Sequence, residues 1–442
     1  MTDQKRYGNG PLHLGMSDYQ YPDLKDYLAA WKAASGFQKD GNNGNQVGGS
    51  WYPNTMNPFT GERSQAANSY YDPVSSRSNL NLMLQTTANE LVLDGIKKLT
   101  ARGVKITDEV TGKTSIVYAK KEVILAAGAV NTPKLLQLSG IGPKSVLDAA
   151  GIKVKLAHEG VGANFQDHPS TTVLSSVSNS TNPSLSDPTF NASAWAQYEK
   201  NKTGPYTQTW SNNLAMISLP ELAPKTYKDL AKQIRDQKSD AFLPAIYKGS
   251  EKLIKGVAAQ RKVLAKLFQD EDAALIEYPI SSSGARVVVC LEKPLARGSI
   301  TINPSNPQGP PKVFYNALSN PVDKSVLASG VRYVRTVFKR PEVKKFSITE
   351  TSPGAQYTGD DEIINRQTEL GSTSPTLAHP SGSCAMMPEK YGGCVSDKLE
   401  FYGVDKLSIV DASILPLVPT QHLQSTMYAV GEKAADLIKK RA

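Results

Sequence analysis

Five histidines, His13, His158, His168, His379 and His422, are the side chains of this chain best suited to moving a proton near neutral pH. A lone histidine is most often a hydrogen-bonded structural residue, so the surroundings decide which of them carry chemistry. His379 sits in H-P-S-G-S-C, a small-residue turn without a strong secondary-structure preference. His422 sits in P-T-Q-H-L-Q-S-T, between a short apolar run ending at Val410-Asp411 and a helical pattern. Both are expected on loops held by regular elements, where proton-transferring groups are commonly placed. Spacing alone does not bring them together.

Rival chemistries lack their residues. The sequence has no G-x-S-x-G elbow, no H-E-x-x-H and no Walker A loop, and its cysteines do not fit a zinc site. Gly140/Gly142 and Gly160/Gly162 lack the third glycine of G-x-G-x-x-G. Cys290, Cys384 and Cys394 are too few for a disulfide framework and read as unpaired buried thiols. No metal site is expected. The net charge of +9 is spread along the chain and accompanied by no nucleic-acid recognition motif, so nucleic-acid binding is not expected. With 39% hydrophobic and 21% charged residues the composition is globular, and no apolar run is long enough for a membrane span. Met1 to Gly15 has no apolar core of a secretory signal, and the compartment stays open.

The elements that must position these groups follow from patterning. A helix is expected over Leu24 to Ala34, started by Asp23 and ended at Gly36. Gly41 to Ser50 reads as a loop. Alternation at Leu80, Leu82 and Leu84, and again around Ile116 to Tyr118, predicts half-buried strands. Glu122 to Gly128 reads as a buried strand ending on glycine, followed by a helix capped near Asn131-Thr132-Pro133 and stopping at Ser139-Gly140. Residues 171–240 read as surface loops with one or two helices. Helices are expected over Lys252 to Lys266, Val322 to Phe338 and Ser425 to Arg441, and strands over Ala285 to Val289, Ser299 to Ile302 and Leu407 to Asp411.

Several segments resemble the glucose–methanol–choline (GMC) oxidoreductases. Lys121 to Gly142 (KEVILAAGAVNTPKLLQLSGIG) is similar to the family's second signature, and Gly160 to Pro169 (GVGANFQDHP) to its G-V-G-x-N-x-x-D-H segment. Pro294 to Thr301 (PLARGSIT) resembles the P-x-S-R-G strand, with Ala in place of Ser. His379 to Met387, Gly403 to Pro416 and Pro419 to Asp436 follow the C-terminal block. The resemblance implies an α/β fold in which a discontinuous FAD-binding domain joins an α+β substrate domain built on an antiparallel sheet. It divides the chain into 1–75 (substrate domain and connections), 76–170 (FAD-binding domain), 171–375 (substrate domain) and 376–442 (FAD-binding domain with the histidine pair).

The same resemblance implies roles. His422 takes the position of a catalytic base and His379 that of its partner. Gly128, Asp411 and Ala412 fall beside the cofactor, the last two near its pyrophosphate and ribityl chain. Gln421, Leu423 and Gln424 fall beside the isoalloxazine ring, with Thr426 in the same cofactor-facing stretch, and Ala88 falls where a backbone contact meets adenine. The implied reaction oxidises a small alcohol, aryl or aliphatic, by passing a hydride to flavin N5, with dioxygen or another acceptor reoxidising the flavin. The N-terminal strand and G-x-G-x-x-G turn of the family have no counterpart here, so the phosphate cradle is expected to be missing. Two alternatives accompany that departure. One is a non-redox cyclase or dehydratase, and the other a shortened chain that is inactive or needs a partner.

Overall fold

A computed structural model describes residues 9–441 apart from 39, 42–43, 97 and 209–211. In chain order the elements used below are α1 (Leu24–Ser35), β1 (Gly48–Trp51), β2 (Thr86–Asp94), β3 (Leu99–Asp108), β4 (Thr114–Tyr118), β5 (Val123–Leu125) and α2 (Gly128–Leu138). They continue with β6 (Ser170–Ser176), β7 (Asn213–Ser218), α3 (Glu251–Leu267), β8 (Ala274–Pro279), β9 (Arg286–Leu291) and α4 (Pro321–Phe338). The last are β10 (Thr349–Ser352), β11 (Thr373–Ser374), β12 (Leu407–Ile409) and α5 (Gln424–Arg441).

The larger body is a seven-stranded antiparallel sheet in the order β1-β7-β8-β9-β6-β10, with β11 also on β6. Side chains alternate between the faces of a strand, so register decides what each face carries. Ile276 and Tyr278 of β8, Val287, Val289 and Leu291 of β9 and Val173 of β6 bury into one core with Val322, Val326, Val331 and Val334 of α4. The intervening residues, among them Glu277, Val288, Cys290, Ser170 and Thr172, form the other face. Helix α4 is started by Asn320, whose side chain accepts from Val322 N at 3.0 Å, with Pro321 in the first turn.

The smaller body has a second core, containing Leu91, Leu125, Leu135, Leu136, Ile409 and Ile414. At its centre β5 and β12 pair in parallel, Leu407 beside Val123 and Ile409 beside Leu125. Helix α5 lays Val430, Ala434, Leu437 and Ile438 on this core. Among the described residues no helix is long and apolar enough to cross a membrane.

Most expected elements are present, and the exceptions have physical causes. Leu80 to Leu84 form no strand; Leu82 and Leu84 are 55% and 74% exposed, and pairing begins only at Thr86. Helix α2 starts at Gly128 rather than near Thr132 and carries Pro133 in its second turn, because Asp411 rather than Asn131 holds its first turn. Residues 171–240 are not mainly loops: Asn213–Ser218 is fully buried inside the large sheet. The loop expected at 41–50 yields β1 from Gly48 onward, and its Asn42 and Asn43, like Arg6 to Gly8, lie outside the described residues.

Helix α4 reaches the sheet through Gly330, whose carbonyl accepts from Tyr278 Oη at 2.9 Å. A Cβ there would stand 2.5 Å from Val289 Cγ1. Overpacking of that kind costs about 1–3 kcal/mol, and a β-branched residue recovers little helix propensity against it. Gly330→Val is therefore expected to lower the urea midpoint of unfolding by that equivalent, without a change in slope.

Candidate active site

One buried segment, Asn164 to His168, positions both histidine loops. Asp167 fixes the His379 loop: its Oδ1 accepts the backbone N–H groups of Leu377 at 3.1 Å and His379 at 3.2 Å, and its Oδ2 accepts the Thr376 hydroxyl at 2.6 Å. Burial raises the pKa of Asp167, and these donors work against the rise. The His422 loop is gripped by three amides: Asn164, Gln166 and Gln260 all donate to the Pro416 carbonyl, at 3.2, 3.1 and 2.7 Å. Lys293 Nζ donates to the Val418 carbonyl at 2.8 Å, and the N–H of Gln421 donates to Glu292 Oε2 at 2.8 Å. Gln421 sits at φ 129°, a conformation that favours glycine, held by that carboxylate.

The two expected histidines meet. Their ring centroids are 5.0 Å apart, and both line a cavity of about 620 Å³. Its floor is the open face of the large sheet: Ser170 and Thr172 of β6, Glu277 and Pro279 of β8, and Arg286, Val288 and Cys290 of β9. The register sets Glu277 opposite Cys290 and Cys290 opposite Ser170 at one end of the floor, with Arg286 four residues along β9. Ser372, Thr373, Ser374 and Thr376 form one wall. Hydroxyl groups are frequent in the lining, Glu277 and Arg286 add charge, and among the described residues no Phe, Tyr or Trp lines the cavity.

Charge is distributed unevenly around the pair. His422 Nε2 lies 3.0 Å from Glu277 Oε1, and this hydrogen bond holds its pKa above 6.5 although burial opposes it. The His422 side chain is 58% exposed and that of Glu277 only 1%. Burial, with the neighbouring His422 charge, pushes His379 down to about 4. His379 Nδ1 is 2.9 Å from His168 Nδ1, and His168 is fully buried. Burial also raises Glu292 to about 8, with Glu277 adding to the effect.

The residues expected around a flavin divide into two groups. Gly128 and Asp411 follow the carboxyl ends of the parallel strands β5 and β12, where ligands bind in α/β sheets. Asp411 is a clamp: Oδ2 accepts from Gly128 N at 3.0 Å and Thr132 Oγ1 at 2.6 Å, while Oδ1 accepts from Ser413 N at 2.8 Å. Gly128 has φ 80° and open space where a Cβ would stand, and the adjoining Ala126 and Ala127 are exposed. Ala412 is half-buried in the same turn. This small-residue rim leaves backbone approachable at the strand ends and fits one side of a flavin nucleotide. Gln421, Gln424 and Thr426 surround the start of α5, where Gln421 Oε1 accepts from Gln46 at 2.9 Å and Gln424 Oε1 from Thr55 at 3.1 Å. Leu423 turns inward against Leu415 and Val418, so only its backbone can face a ligand. Ala88 is exposed on β2, which packs on α2.

Sequence reasoning missed Glu277, Glu292, Asp167 and the role of His168. Glu277 had a legible signal, a single charge inside the apolar strand A-L-I-E-Y-P, since a fully buried carboxylate is rare without a partner. Asp167 and His168 are the D-H of the family-like segment Gly160 to Pro169, which marked their positions without giving their roles, and Glu292 had no signal short of the fold.

Residues 6–170 and 294–431 match the N-terminal and C-terminal domain descriptions of GMC oxidoreductases. A GMC oxidoreductase family protein of Malassezia sympodialis, Mala s 12, is 31% identical over 435 residues, spanning 97% of this chain and 67% of that protein. Among solved structures, a fungal aryl-alcohol oxidase superposes with a TM-score of 0.93 at 33% identity, covering 99% of this chain and 74% of that one. An FAD-dependent oxidoreductase from Chaetomium thermophilum gives 0.92 at 33% identity, with 98% and 74% coverage. With two family models covering more than half of it and these relatives matching nearly its whole length, this chain belongs to the GMC oxidoreductase family.

Proposed function

We propose that the chain carries the proton-transfer and substrate-holding half of an FAD-dependent alcohol oxidoreductase, and that its substrate is a small alcohol. The observation that carries this reading is the His379–His422 pair over a cavity floored by Glu277, Cys290 and Ser170. When bound, FAD supplies the acceptor for the carbinol hydride. Gly128, Asp411 and Ala412 would hold its pyrophosphate and ribityl chain, the backbone at Gln421 to Gln424, with Thr426 beside it, its ring, and Ala88 its adenine side.

The protein's own task is the hydroxyl proton, because hydride leaves an alkoxide far more easily than an alcohol. Neutral imidazole accepts that proton, and a charged one stabilises the oxygen left behind. His379 stays neutral down to about pH 4, which suits it as the acceptor. His422, kept basic by Glu277, suits the donor that holds the oxygen. This division reverses the one expected from the motifs. Thr172, Ser170 and Val288 on the floor would orient the remainder of the substrate.

The test is to incubate the chain with excess FAD, desalt it, record the flavin spectrum and add primary alcohols. Retained flavin that is bleached by an alcohol supports the reading; a folded chain that retains no flavin, or retains it without bleaching by any alcohol, removes it. In flavin-loaded protein His379→Ala is expected to lower kcat/KM by about 10²–10⁴-fold and His422→Ala by less. The opposite order would restore the motif-based assignment. The pH profile carries a sign as well. Activity should fall on the acid side as His379 takes a proton near pH 4, and on the basic side as His422 loses one above 6.5. Glu277→Gln removes the carboxylate that favours the His422 proton, so the basic limb should move to lower pH.

A further inference from the structure

We propose that His168 is a positioning residue that fixes the tautomer of His379, accepting the Nδ1–H of His379 and leaving its Nε2 as the bare nitrogen offered to a substrate hydroxyl. This assignment rests on the proposed role of the histidine pair and goes beyond it by naming what sets the pair's proton arrangement.

The geometry allows one proton between the two rings. Nδ1 of His168 and Nδ1 of His379 are 2.9 Å apart, with the rings nearly perpendicular at 81°, so one nitrogen donates and the other accepts. The far side of His168 decides which. Its Nε2 stands 3.5 Å from Glu292 Oε2 and beside the Pro419 carbonyl. Glu292 Oε2 is taken up by the Gln421 N–H at 2.8 Å and makes no hydrogen bond to this nitrogen, whereas the Pro419 carbonyl beside it can only accept. A bare Nε2 would set its own lone pair against that carbonyl in a site fully shielded from water. The His168 proton therefore belongs on Nε2, and its Nδ1 is left as the acceptor. A second proton on His168 is disfavoured by burial and by the charges of His379, Lys293 and His422.

The surroundings keep the pair in register. Asp167 Oδ1 accepts both the His168 N–H at 2.7 Å and the His379 N–H at 3.2 Å, so one carboxylate fixes both backbones. Orienting a base through its second nitrogen is the logic by which a buried carboxylate serves a catalytic triad. Here a neutral imidazole does it, which fixes the tautomer without adding negative charge.

The experiment is nitrogen-15 NMR on histidine-labelled chain, with His379→Ala assigning the resonances among only five histidines. The expected result at neutral pH is His379 protonated on Nδ1 and bare on Nε2. His168→Asn keeps an acceptor oxygen near the position of Nδ1 and should preserve that tautomer; His168→Leu, which removes it, should yield a mixture. In flavin-loaded enzyme His168→Leu should lower kcat by about tenfold or more with little change in KM, and His168→Asn should restore most of it. A proton on Nε2 of His379 in the unaltered chain overturns the proposal, as does an unchanged His379 tautomer in His168→Leu. If His168→Leu does not fold, the unaltered chain and His168→Asn still decide. The NMR result needs neither flavin nor substrate. The predicted tautomer in a chain that never oxidises an alcohol would therefore sink the functional reading and leave this one standing.

Discussion

Irregular backbone can be buried only if every polar group finds a partner, and the site depends on how one segment meets that demand. Residues 164–168 are buried throughout, and their side chains satisfy the loops on either side. Asn164 and Gln166 bind the Pro416 carbonyl, and Asp167 binds the loop of His379. His168 then meets His379 itself. Both histidine loops lack regular secondary structure, so without these side chains they would have unsatisfied carbonyl and amide groups and no fixed course. Placing two imidazoles 5.0 Å apart thus traces to a five-residue stretch that holds neither of them.

The second contribution comes from the larger sheet. His422 belongs to the loop after β12, on the side of the smaller core, whereas Glu277 is part of β8 in the larger body. Their hydrogen bond joins the two bodies at the point where the proton-handling groups sit. The strand places Glu277 on the open face by alternation alone, since Ile276 and Tyr278 on either side point into the core. A carboxylate so deeply buried depends on the imidazole that pairs with its Oε1.

How much of this was legible in the sequence varied with the physics involved. Long amphipathic elements such as Leu24–Ser35, Glu251–Leu267 and Pro321–Phe338 announce themselves, because burial of one face leaves a helical period. The large sheet was harder to read. Asn213–Ser218 is buried on both sides and shows no alternation, and it lies amid Ser, Thr, Asn and Pro that resemble loop. The exposed Leu80, Leu82 and Leu84 alternate as a strand would, yet pair with nothing among the described residues. For the site, motif resemblance singled out His379 and His422, but not which of their nitrogens is free, since that depends on His168, Glu277 and Glu292 arriving from distant segments. Asp411 likewise stood out in sequence as a cofactor neighbour, and its clamp on Gly128 and Thr132 emerges only when β5 and β12 lie side by side.

Alternation along β6 and β9 separates two kinds of evolutionary freedom. Positions 172, 286 and 288 form part of the cavity floor, whereas their immediate neighbours 173, 287 and 289 belong to the hydrophobic core. Substitutions at the former can reshape what the cavity admits while leaving the packing beneath untouched. Those at the latter are constrained by fit to α4 whatever the substrate. A lineage can therefore drift among substrates on a scaffold whose thermodynamic stability hardly changes, because specificity and folding are written on opposite sides of the same strands.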